Sequence, residues 1–535
     1  MRFDPHRYAY PSRRNVVYGA RGMVCTSTPL AAQAGLSVLQ KGGNAVDAAV
    51  AAAAALTVLE PNSNGLGSDA FALVWHGGRL YGLNASGYSP KNLTLEQLLA
   101  KGYTEMPAEG WEPVMVPGAP GGWAELSKRF GRLPLTDALE PAAAYAETGY
   151  PVSPTIAANW GKAFALYTRL ANPLFDSWFA TFAPKGRAPA AGEIWASAGM
   201  ARTLREIAAT GAESYYRGEL MRKIVAFSDE TGGWLCEEDF TGYHPEWVEP
   251  ITANYRGYDV YEMPPNGHGI TVLMALNILS GMTLPAEKEN PETYHKLIEA
   301  LKLAFIDART YVADPAAMKT TVGQLLSADY AARRRALIGE EAILPYAGDP
   351  RCGDTVYLCT ADGEGNMVSY IQSNYKNFGS GIVIPGTGIS LQDRGCGFSF
   401  DPASDNCYAP GKKAYHTIIP GFLCKDGKAV GPFGVMGGFM QPQGHLQVLV
   451  NAIDYGMNPQ ECLDAPRFQW AGGLKIQLEE AMAPGVAAGL RARGHEVEIL
   501  KSGSFMGRGE IIWNTEHGTL AGATEPRCDG QVAVW

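Results

Sequence analysis

Three short stretches of the chain carry residue types that could perform acyl chemistry. The first is Arg351-Cys-Gly-Asp-Thr355-Val-Tyr-Leu-Cys-Thr360, followed by Ala361-Asp-Gly-Glu-Gly-Asn366 and Met367-Val-Ser-Tyr-Ile-Gln-Ser373-Asn374. It reads as a hairpin whose outgoing strand opens on the Thr355 hydroxyl and whose Gly-rich turn brings Ser373 back. Threonine is a good strand former, so alone this position is better explained by structure than by catalysis. The second stretch, Gly434-Val-Met-Gly437-Gly438-Phe-Met-Gln441, reads as a strand ending in two residues without side chains. Adjacent bare N–H groups there could hold an oxyanion, although in isolation an ordinary turn is the better explanation. The third, Lys412-Lys-Ala-Tyr-His416-Thr417-Ile-Ile-Pro420, places an imidazole and a hydroxyl before an apolar strand. A single histidine in such a place is more often packed or solvated than catalytic.

The surrounding pattern must position these groups. Two helices are expected between Thr28 and Leu59, broken at Gly42-Gly43-Asn44, the second nearly all apolar and so buried on most sides. A hairpin follows over Ala70–His76 and Leu80–Leu83. Residues 120 to 340 read as mainly helical, with helices at Leu139–Ala146 (Pro141 in its first turn), Met200–Ala209, Gly269–Leu279 and Pro291–Tyr311. The last third turns strand-rich, with one helix at Gly444–Ile453. Buried helices interleaved with strands point to one layered body with helices outside stacked sheets.

Composition narrows the functional class. The 535 residues carry a net charge of -10 with acids and bases interspersed, and no basic run offers a surface to nucleic acid. Nine scattered cysteines include no C-x-x-C pair, which argues against a zinc site and suits a reducing compartment. Met1-Arg-Phe-Asp-Pro-His6 is charged and lacks the apolar core of a signal peptide, and Ala45–Leu59 is short for a membrane span. A soluble cytoplasmic protein is therefore expected, without metal or cofactor, acting on a small molecule. A dinucleotide fingerprint at Gly65-Leu-Gly-Ser-Asp-Ala70 follows a loop and precedes a strand, the reverse of the context it needs.

Taken together and in this order, the stretches resemble the γ-glutamyltransferase (glutathione hydrolase) family. The resemblance extends through Arg21–Pro29, Leu39–Ala49, Asn64–Ala72, Phe378–Ile382, Ile453–Pro459 and Ala465–Arg467. Asp354–Leu358, Tyr415–Pro420 and Met440–Gly444 are similar to the cytoplasmic glutathione-hydrolase-like branch that includes oxamate amidohydrolase. This implies an α+β fold, the four-layer αββα sandwich of N-terminal-nucleophile hydrolases, made as a proenzyme that cleaves between Asp354 and Thr355. Residues 1–354 would form the large subunit and 355–535 the small one, intertwined in one domain, with a dimer of such heterodimers left open. The freed α-amino group, with a pKa of about 7.7–8.0, would serve as the base for Thr355 Oγ. Ser373 would support the nucleophile, and Gly437 and Gly438 would hold the oxyanion.

The sequence also departs from that family. Tyr357 follows the nucleophile one residue earlier than in familiar transpeptidases. Ser86 stands where they carry a carboxylate-gripping Arg, and Cys396-Gly397 where they carry an acid for the substrate ammonium. Losing both charged anchors makes γ-glutamyl compounds poor candidate substrates. A smaller or more apolar acyl amide is expected instead, in a pocket shaped by Ser86, Tyr88, Tyr375, His416 and Thr417. Oxamate and β-lactam side chains stay in play, although no cation for a carboxylate is evident in the sequence. The alternatives are a γ-glutamyltransferase proper and an uncleaved, catalytically silent binding protein.

Overall fold

The computed structural model describes residues 14–344, 354–501 and 505–535. Met1–His6 and Arg351–Gly353, read above from sequence, lie outside them. The helix Ala45–Leu59 begins where Asn44 accepts from Val46 N and Asp47 N, while the Asp47 carboxylate takes the Asn44 N–H in return. This reciprocal cap satisfies amides that a helix start otherwise leaves bare. Every residue of that helix is buried, because alanine lets neighbours approach from all sides. The helix Pro29–Gln40 packs on it at Gly35, where an added Cβ would stand 2.9 Å from the Ala48 carbonyl oxygen.

Two seven-stranded sheets form the centre. One runs in the order Val17–Gly19, Leu520–Thr524, Arg508–Asn514, Lys428–Met436, Gly421–Lys425, Tyr258–Glu262 and Ile251–Tyr255. The other runs Gln531–Val534, Gly22–Thr26, Asp354–Asp362, Met367–Tyr375, Asp69–His76, Arg79–Ala85 and Glu246–Val248. Each sheet mixes strands from before and after residue 354. Met23, Phe71, Tyr357, Ile371, Phe422, Met436 and Ile512 pack between the two sheets. The outer face of the second sheet is covered by Pro29–Gln40 and Ala45–Leu59, with Leu135–Thr148 packed on them, and that of the first by Ile270–Ser280 and Met440–Ile453, with Pro291–Tyr311 packed on Ile270–Ser280. The result is the αββα sandwich expected from the resemblance.

Two helix starts differ from the sequence reading by four residues. The helix expected at Leu139 begins at Leu135, after Pro134, so Pro141 lies inside it. The helix expected at Gly444 begins at Met440. Pro442 is its third residue, where a missing N–H costs no helical bond. No helix among the described residues is long and apolar enough to cross a membrane.

Candidate active site

Thr355 is buried in the strand Asp354–Asp362, and its Oγ1 donates to Ser373 Oγ at 3.1 Å. The strand is anchored at its far end to the helix Ala45–Leu59. There Thr360 Oγ1 donates to the Ala45 carbonyl at 2.6 Å and the Ala45 N–H donates to Asp362 Oδ2 at 2.9 Å. The hairpin register is regular from Val356↔Gln372 to Ala361↔Met367, then slips, because the next pair is Asp354↔Tyr375. Ser373 and Asn374 therefore both stand opposite Thr355. Such a bulge turns a side chain out of the normal alternation, and here the Ser373 hydroxyl meets the Thr355 hydroxyl. The Tyr375 N–H donates to Ser373 Oγ at 2.7 Å, and Tyr375 itself takes a φ of 80°.

Gly437 and Gly438 link the strand Lys428–Met436 to the helix Met440–Ile453. They adopt φ of 129° and 59°, the first in a region that only glycine enters without strain. The strand carrying them packs across the sandwich on the Thr355 strand. An added Cβ at Gly434 would be 2.4 Å from the Tyr357 ring, so the sheets approach closely three residues before Gly437 and two after Thr355. The helix start at Met440 adds the positive end of a 14-residue helix behind the glycine pair, which favours negative charge.

A cavity of about 670 Å³ is lined by Tyr375, Thr417, Cys396, Gly397, Phe439 and Tyr415, with Arg309, Lys376, Glu105 and Asp401 also on its wall. Tyr375 and Thr417, two of the residues expected to shape a substrate pocket, both line this cavity. Cys396-Gly397 is on the wall as well and brings no charge. Beneath Tyr375 and Thr417 lies Arg394, 1% exposed, which sequence reading missed. Its Nη1 donates to Thr417 Oγ1 at 2.8 Å, and its guanidinium lies 4.5 Å from the centre of the Tyr375 ring. Burial pushes its pKa down from the ordinary arginine value. A signal was present: Arg394 is the only Lys or Arg between Lys376 and Lys412.

The other expected pocket residues are set differently. Ser86 is buried and donates through its Oγ to Asn84 Oδ1 at 2.7 Å, while Asn266 Nδ2 donates to Ser86 Oγ at 3.3 Å. Tyr88 is half-buried, its hydroxyl donating to Glu246 at 2.5 Å. Neither lines the cavity. His416 accepts at Nδ1 from the Ile418 N–H at 3.4 Å, so the proton sits on Nε2, which faces Asp69 Oδ2 at 3.1 Å. Burial holds the His416 pKa well below its usual range and lifts that of Asp69 to about 7. The imidazole is therefore neutral, and the contact is a hydrogen bond rather than an ion pair. Asp69 pairs in register with Ser373. An Asp–His pair beside a hydroxyl could suggest a His base, but both ring nitrogens are engaged away from Thr355.

Among the described residues, one group could hold a metal by geometry: His295, Glu299 and His495. Its donors already satisfy one another. His295 Nδ1 and His495 Nε2 are 2.9 Å apart, and Lys302 Nζ donates to Glu299 at 2.6 Å. A buried ammonium in that place opposes a cation.

A family model described as gamma-glutamyltranspeptidase matches residues 31–535. The chain is 38% identical over 526 residues to the glutathione hydrolase-like YwrD proenzyme of Bacillus subtilis, covering 96% of this chain and 98% of that protein. It is 33% identical over 527 residues to the oxamate amidohydrolase proenzyme of Klebsiella pneumoniae, covering 96% and 98%. The crystal structure of cephalosporin acylase from Bacillus halodurans superposes with a TM-score of 0.97 at 57% identity, covering 100% of this chain and 99% of that one.

Proposed function

The chain belongs to the γ-glutamyltranspeptidase family and is an amide hydrolase of it, and on that premise we propose that Thr355 is its self-generated N-terminal nucleophile. The observation that carries this reading is the hydroxyl pair Thr355–Ser373, formed at a bulge where a buried strand begins. In the precursor, Thr355 Oγ attacks the carbonyl carbon of residue 354. The peptide C–N bond breaks, an ester forms, and water hydrolyses the ester to leave a free α-amino group on Thr355. That amine then takes the Thr355 hydroxyl proton as Oγ attacks a substrate amide carbon. The oxyanion faces the N–H groups of Gly437 and Gly438. The departing amine collects the proton, and water releases the acyl group.

Residues 1–354 and 355–535 then become two subunits, and their interleaved strands in both sheets would hold them together after cleavage. The substrate contacts are assigned to Tyr375 and Thr417, with Ser86, Tyr88 and His416 positioning the wall behind them. Names of relatives, an acylase and an oxamate amidohydrolase, support amides other than γ-glutamyl ones. A cytoplasmic setting suits the cysteines, which are free throughout the described residues.

Intact-mass spectrometry of the purified protein tests the cleavage. Two masses are expected, Met1–Asp354 and Thr355–Trp535, and a single persistent mass under varied conditions would defeat the proposal. The base assignment predicts a pH dependence. The neutral amine is the active form, and burial disfavours its charged form, so its pKa falls below the solution value of about 7.7–8.0. The ratio kcat/KM should rise with pH through an inflection below about 8 and then level off. A profile that falls across the neutral range would exclude an amine base.

A further inference from the structure

His268 is fully buried, two residues before the helix Ile270–Ser280. Its backbone N–H and both ring nitrogens reach three consecutive residues of one segment. The N–H donates to the His416 carbonyl at 2.9 Å, Nε2 is 2.7 Å from the Thr417 carbonyl oxygen, and Nδ1 is 3.0 Å from the Tyr415 hydroxyl. A carbonyl oxygen only accepts, so Nε2 carries the proton and Nδ1 accepts from the Tyr415 O–H. Burial, helped by the charges of Arg394 and Arg309, pushes the His268 pKa down to about 3. The ring therefore stays neutral at working pH and keeps one donor and one acceptor.

The residues held in this way belong to the cavity wall. Tyr415 and Thr417 line it together with Phe439, which directly follows Gly438 and precedes the helix Met440–Ile453. The Tyr415 ring stacks on Phe439 at 6.3 Å, and the His268 ring meets Phe439 edge-on at 6.0 Å. The Arg309 guanidinium lies 4.5 Å from the centre of the same Phe439 ring. In a close-packed wall a shift of Tyr415 is passed to Phe439, and through it to the glycine pair. We propose that His268 is a positioning residue for the reaction, fixing Thr417 and Tyr415 relative to Gly437-Gly438. This rests on Thr355 being the nucleophile and on the glycine pair holding the oxyanion. Burial alone would make His268 an ordinary packed histidine. What assigns it this role is that both ring nitrogens are spent on two residues of the cavity wall.

The test compares wild type with His268→Leu, which removes both ring contacts, and His268→Gln, which keeps an amide N–H for Thr417 and an amide oxygen for Tyr415. Each is followed by intact mass for the rate of precursor cleavage, by thermal melting, and by turnover of acetyl, butyryl and glutaryl p-nitroanilide. In His268→Leu kcat should fall by about 100-fold, the scale of a misplacement of about 1 Å, with KM changed far less. Precursor cleavage should slow as well, since it uses the same glycine pair and needs no added substrate. His268→Gln should recover most of both rates and keep the wild-type pH inflection, because His268 carries no proton in the reaction. Tyr415→Phe breaks only the Nδ1 contact and should lose part of kcat, which keeps the test open if His268→Leu does not fold. Unchanged rates in His268→Leu or Tyr415→Phe would overturn the proposal. So would a His268→Gln chain that melts like wild type yet is as slow as His268→Leu, or one whose pH inflection has moved. A wild type that stays uncut removes Thr355 and this proposal together, whereas a cut wild type with unaffected variants removes His268 alone.

Discussion

Thr355→Ala is expected to remain one uncut chain and to lose amide hydrolysis by at least about 10⁴-fold, the scale seen when a nucleophile is deleted. Two losses coincide in this variant. Without Oγ there is nothing to attack the preceding carbonyl, and without cleavage there is no α-amino base. Ser373 cannot substitute, because it lies inside the strand Met367–Tyr375 and cleavage before residue 355 gives it no α-amino base. Thr355→Ser keeps the hydroxyl and should still cleave and turn over, more slowly. The lost methyl had fixed χ1 in a site with no exposure to solvent, so its removal loosens the hydroxyl and costs about 1 kcal/mol of packing. Intact mass, turnover of any accepted amide and thermal melting separate these effects. A cleaved Thr355→Ala chain would show that another group performs the cut.

The parts of the site that could be read from sequence are those written in consecutive residues. The hairpin from Thr355 to Ser373 follows from strand formers around a Gly-rich turn. The pair Gly437-Gly438 follows from two adjacent residues without side chains. The break at Gly42-Gly43-Asn44 and the helix at Pro291 were legible for the same reason. Features made by distant segments were not. The Asp69–His416 contact joins residues 347 positions apart, and Arg394 meets Thr417 and Tyr375 only in the folded chain. Local signals also misled where proline was involved. Pro442 and Gly444 look like breakers, yet the helix starts before them at Met440, since its first turn needs no N–H from Pro442. That shift moved a helix terminus to the glycine pair. Pro141 lies inside a helix whose face is buried through Ala138, Leu139 and Ala142, so packing outweighed the missing backbone bond. The bulge opposite Thr355 left no trace in the alternation of residue types, because Ser373 and Asn374 are both polar and both buried.

Gly437→Ala should lower kcat by about 10²–10³, as loss of an oxyanion donor does, with KM changed much less. A side chain at φ of 129° is strained whatever space it meets, and here the new Cβ would also stand 3.2 Å from Gly507 Cα and 3.5 Å from Met440 Cβ. The peptide can relieve this only by rotating, which swings the N–H groups away from the developing charge and from the start of the helix Met440–Ile453. Precursor cleavage passes through an oxyanion at the same nucleophile, so it should slow in step. The variant should also lose about 1–3 kcal/mol of stability from backbone strain. Gly438→Ala provides the comparison. Its φ of 59° is a left-handed conformation that alanine enters at a cost of roughly 1–2 kcal/mol, so its peptide need not turn and its kcat should fall less. If Gly437→Ala proved less stable yet kept its kcat and its rate of cleavage, the glycine pair would be a turn required by packing, and the oxyanion would have to be held elsewhere.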